Sequence, residues 1–129
     1  MIANAGLAEP PELEKAYSGS LDQLNWMKRN ARTHENRHVR AICVERYMEK
    51  GENQKDYHQF IGEMAKGEEP LAVYAVAKTI LELKHQPVYG TLRTKHRKTL
   101  LTNLEKLAVA DKTPDYLKTQ LGQMNVQLR

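Results

Sequence analysis

The chain has 129 residues, of which 40% are hydrophobic, 28% charged and only 6% aromatic, with one cysteine and a formal net charge of +4. That length supports one domain with its own core, and a lone cysteine excludes a disulfide-stapled scaffold. No apolar run reaches the roughly 18 residues a membrane span needs, and the opening MIANAGLAEPPELEK lacks the basic and apolar segments of a secretion signal, so we expect a cytoplasmic protein with no membrane partner.

Residues 1–9 are small and weakly patterned, which suggests a flexible N-terminal arm ahead of a single helical domain over 10–129. A short helix is expected from Pro11 to about Tyr17, broken by Ser18, Gly19 and Ser20. Ser20 with Gln23 has the spacing of a capping box, and Leu21, Leu24, Met27 and Ala31 follow at helical spacing. The apolar stripe then lapses over Arg32 to His38 (RTHENRH) before Val39, Ile42, Cys43 and Tyr47 resume it as far as Gly51. Either one helix crosses a solvated stretch or Thr33 caps a second one, and we favour one helix. Tyr57, Phe60, Ile61 and Met64 make a short amphipathic helix from about Gln54 to Lys66.

Next comes the one segment apolar on nearly every side, Pro70 to Lys84 (PLAVYAVAKTILELK). A helix apolar all round is covered by others, so it is expected to be the central rod. Pro70 suits the first helical position, and Pro87 stops the helix. Beyond HQPVYG, Thr91 can cap a helix with Leu92, Leu100, Leu104, Leu107 and Ala108 inside, ending near Asp111. Thr113, Pro114 and Asp115 start a last helix, with Tyr116, Leu117, Leu121, Met124 and Leu128 as its inner face. The expected fold is all-α, a compact bundle of about five to seven helices around a buried helix at about 70–84.

His34-Glu35-Asn36-Arg37-His38 matches H-E-x-x-H, which on a helix sets two imidazoles on one face for zinc with a glutamate as general base. Chance competes with chemistry here. Arg37 sets a permanent cation beside the ligands, and the apolar residues that would enclose such a cleft are missing. We read a solvated histidine-rich face, no metal or other cofactor and no enzyme. No phosphate-binding glycine loop occurs either, and Cys43 lies among Ile42 and Val44 as a reduced core thiol.

Charge distribution carries the functional expectation. Lys28, Arg29, Arg32, Arg37 and Arg40 form one cluster, and Arg93, Lys95, Arg97 and Lys98 around His96 form another. With Thr91 as cap, the second cluster falls in the first two turns of its helix, where the dipole disfavours cations unless an anion docks there. A helix-turn-helix fits poorly, because the rod is too apolar to read bases and HQPVYG is longer than the usual turn. The first expectation is an accessory or regulatory protein that binds nucleic acid, DNA included, through phosphate contacts with these residues. The alternative is an adaptor for an acidic protein surface, anchored by Trp26, Met27 or the last helix, with homo-oligomers possible. A zinc-dependent hydrolase stands third.

Overall fold

The computed structural model describes residues 20–129, so the expected arm at 1–9 and the short helix at 11–17 lie outside the described residues. Those described form α1 (Leu21–Thr33), α2 (Arg37–Lys50), α3 (Tyr57–Lys66), α4 (Pro70–Glu82), α5 (Val88–Ala108) and α6 (Asp115–Leu128), and no strand occurs among them. The protein is thus the all-α bundle its periodicity predicts. None of these helices is long and apolar enough to cross a membrane.

The segment at 20–50 is two helices, not the one we favoured. α1 begins as expected, with Ser20 Oγ accepting the Gln23 N–H at 3.4 Å. It ends because His34 turns extended, at φ −61° and ψ 138°, and Asn36 caps the next helix by accepting the N–H groups of His38 (2.8 Å) and Val39 (3.3 Å). Asn is a strong N-cap, whereas Thr33 is the last residue of α1 and donates its hydroxyl back to the Arg29 carbonyl at 2.8 Å. The break has a packing cause: α1 lies against α2, and two halves of one straight helix cannot cover each other.

α4 is the centre. It packs against α2, α3, α5 and α6, and Pro70, Leu71, Ala72, Val73, Ala75, Val76, Ala77, Thr79 and Ile80 are buried along its length. Glu69 caps it by accepting the Leu71 N–H at 3.1 Å. Around it, α3 buries Tyr57, Phe60, Ile61, Met64 and Ala65, and α5 buries Leu92, Leu100, Leu104 and Leu107. Cys43 belongs to the same core, and burial pushes its thiol up to about 12, which leaves it protonated and unreactive at neutral pH.

Two boundaries differ from the periodicity. α5 starts at Val88, three residues before Thr91, with Pro87 at the cap position and no side-chain cap. On α6, Leu117, Leu121, Asn125 and Leu128 are buried, but Tyr116 is 56% exposed. Asn125 replaces Tyr116 on the inner face because its amide donates to the Leu101 carbonyl at 2.9 Å.

Candidate nucleic-acid interface

The basic cluster of α1 and α2 is mostly spent on holding the bundle together. Lys28 Nζ meets Asp56 at 2.8 Å, and Asp56 also accepts the Tyr47 hydroxyl at 2.7 Å, so one carboxylate ties α1, α2 and the approach to α3. The Lys28 hydrogen bond, with that of Tyr47, holds the Asp56 carboxyl below its usual range. Arg32 grips Glu63 with two bonds of 2.9 Å and lies 5.1 Å from the Phe60 ring centre, clamping α1 to α3. Arg37 and Arg40 both engage Glu69, at 2.6 and 3.6 Å, which joins α2 to the start of α4. Of this cluster only Arg29 is exposed with no ion pair among the described residues.

The second cluster also divides. Because α5 starts at Val88, Arg93 is its sixth residue and Lys98 its eleventh, so none of these cations sits at the positive end of the dipole. Arg93 donates to the Tyr89 hydroxyl (2.7 Å) and the Leu128 carbonyl (3.0 Å). Arg97 donates to the carbonyls of Leu128 (2.8 Å) and Arg129 (2.7 Å). Both guanidiniums therefore satisfy the carbonyls at the negative end of α6. Arg97→Gln is accordingly expected to lower stability by about 1–2 kcal/mol, the reverse of what a misplaced cation at a helix start would give. Urea denaturation at low salt checks this, and an unchanged midpoint would show that the cap contributes nothing.

His96 is 6% exposed, and its Nε2 lies 3.1 Å from His58 Nδ1, with the two rings stacked at 23°. Burial, then the neighbouring His58 and Lys95, pull the His96 imidazole down to about 4, and burial also lowers His58, so the pair is neutral near pH 7. His96 is a structural contact between α3 and α5 and has little surface to offer a phosphate.

The zinc motif loses its helix. His34 lies beyond the end of α1 and His38 within α2, with the Asn36 cap between them, and His34 Nδ1 accepts the Asn36 N–H at 3.0 Å. Among the described residues no three of His, Cys, Asp and Glu gather to hold a metal ion. Among the adaptor's anchors, Met27 is fully buried and cannot meet a partner, whereas Trp26 is half-buried.

What tertiary structure assembles instead is a groove between α3 and α5. One depression of about 400 Å³ is lined by Lys66, Lys98, Thr99, Thr102, Asn103 and Lys106. A second, of about 390 Å³, shares Lys66 and Thr99 and adds Lys95, His96, Gln59, Gly62 and Glu63. Lys95, Lys98, Thr99, Thr102 and Lys106 recur at helical spacing on one face of α5, and Lys66 faces them from the end of α3. All four lysines are exposed and form no ion pair among the described residues. Glu63 at the rim is already held by Arg32, and the hydrogen bond from Lys112 engages Glu68. No protein-family model, no curated protein and no solved structure matches the chain.

Lys66 and Lys106 were absent from the sequence-derived site. Lys66 stands alone at the end of α3, and Lys106 follows Glu105 in sequence; only the packing of α3 on α5 brings them beside Lys95 and Lys98.

Proposed function

We propose that the protein is a small cytoplasmic, non-enzymatic accessory protein that binds nucleic acid through phosphate contacts in the α3/α5 groove. The observation that carries this is the convergence of Lys66, Lys95, Lys98 and Lys106 along two adjoining depressions, none of them in an ion pair among the described residues although Glu63 and Glu68 lie near enough to feel Lys66 and Lys106, while Lys28, Arg32, Arg37 and Arg40 are ion-paired. Lysines gathered around a groove repel one another, and a polyanion removes that repulsion while releasing its own counterions. Thr99 and Thr102 add hydroxyl donors between the lysines. Arg29, on α1, lines neither depression.

Fluorescence anisotropy with labelled oligonucleotides across a salt series tests the proposal. Affinity is expected to fall steeply with salt, and Lys95→Gln with Lys98→Gln is expected to flatten the log–log slope by about one to two units. Arg37→Gln, at a cation already paired with Glu69, should leave the slope unchanged. Equal binding by wild type and the double variant at every salt concentration would overturn the assignment and favour an acidic protein as the partner of this face.

A further inference from the structure

We propose that the groove takes one sugar–phosphate strand of a base-paired duplex, recognised by charge and shape and not by base sequence; this rests on the nucleic-acid reading above. Lysines stand on both walls, Lys66 on α3 and Lys95, Lys98 and Lys106 on α5, so a ridge of backbone laid along the groove meets cations from two sides. From Lys95 to Lys106 the α5 wall runs about 16 Å at the helical rise, long enough for several phosphates of one strand. Its lining includes Gly62, Thr99 and Thr102, whose small size admits a backbone closely and, for the two threonines, offers hydroxyls to its oxygens.

Sites for single strands combine such a groove with exposed aromatic rings on which unpaired bases stack. Here the aromatic rings near α3 are committed elsewhere: Tyr57 and Phe60 are core, and the His96 ring is buried against His58. Base reading is most discriminating with amides and guanidiniums, whose two groups can engage one base edge at once, whereas a lysine ammonium meets phosphates as a point charge. Of the two amides that line the groove, Asn103 is not free, since its amide nitrogen donates to the carbonyls of Ala65 and Gly67 at 2.8 Å each, and exposed Gln59 alone can engage one base pair at most, while Arg32 is locked on Glu63. A duplex keeps its bases stacked on one another and presents only its backbone, which is what this surface can hold.

The test compares binding of the full chain to two duplex DNAs of unrelated sequence, a duplex RNA and an oligo(dT) of equal length. The two DNA duplexes are expected to bind within about twofold of each other, with a salt slope near −3.6 for four phosphates, and oligo(dT) at least about tenfold more weakly. Lys66→Glu with Lys98→Glu, one from each wall, is expected to weaken duplex binding at least about tenfold, whereas Lys84→Glu outside the groove leaves it unchanged. Both altered lysines are exposed, so far-UV circular dichroism should match wild type, and Lys66→Gln with Lys98→Gln, which sets no carboxylate at the end of α3 beside Glu63, should weaken duplex binding in the same direction with little change in melting temperature. The duplex RNA arm identifies which duplex is preferred: binding to either form supports the inference. Oligo(dT) binding as tight as duplex, or a strong preference between the two DNA sequences, would overturn it. Failure of every oligonucleotide to bind would instead remove the nucleic-acid reading on which it rests.

Discussion

Ile80→Asp is expected to abolish the cooperative fold. Ile80 is fully buried on α4, the helix that packs against four of the other five, within the apolar core. Burying it unpaired costs several kcal/mol beyond the lost isoleucine contacts, against a typical total stability of roughly 5–15 kcal/mol. Far-UV circular dichroism of the variant should show largely lost helix, and Ile80→Val, which removes one methylene, should cost only about 0.5–1.5 kcal/mol. A cooperative urea transition for Ile80→Asp within about 1 kcal/mol of wild type would remove α4 from the centre of the fold.

The second large effect is acid destabilisation centred on His96. In the folded chain its imidazole titrates at about 4, against 6.5 for an ordinary histidine. Between those values the unfolded chain binds a proton that the folded chain refuses, so stability falls as pH falls below about 6.5 and the loss is complete only below about 4. From pH 7 to pH 5, above the range where most carboxylates titrate, the loss from this group is about 2 kcal/mol. His58, also lowered by burial, acts in the same direction, and Lys95 is the cation that opposes protonation of both. His96→Leu keeps the contact with α3 apolar and removes this titration while leaving that of His58, so its stability should fall by clearly less than that of wild type over the same interval. Chemical denaturation of both proteins at the two pH values decides this: equal losses in wild type and variant would place the acid sensitivity elsewhere.

How much of this was legible beforehand depends on how local the determining interaction is. The rod at 70–82 could be read because nine buried positions on one helix leave no polar face to interpret otherwise. The stripe of α3, Tyr57, Phe60, Ile61 and Met64, could be read for the same reason, since all four are buried. The break at residues 34–36 was partly visible in the lapse of apolar residues over RTHENRH, yet its cap was misplaced: Thr33 and Asn36 are both acceptable caps, and the choice fell to whichever let α2 fold back onto α1. The start of α5 was missed because Val88 carries no capping residue before it; tertiary burial of Val88 extends the helix backward past Thr91.

Charge was the least legible property. Arg97 and Lys98 are neighbours in sequence and look equivalent there, but they point to different sides of α5, one onto the carbonyls ending α6 and the other into the groove with Lys66. By itself the sequence determined that this protein is a helical bundle with Pro70 to about Glu82 at its centre, because apolar periodicity is written residue by residue and needs no partner to be recognised. Only the tertiary structure decided which cations are ties and which remain uncompensated, because an ion pair such as Arg32 with Glu63 or Arg37 with Glu69 joins residues about thirty positions apart, and nothing short of the folded chain brings them within bonding distance.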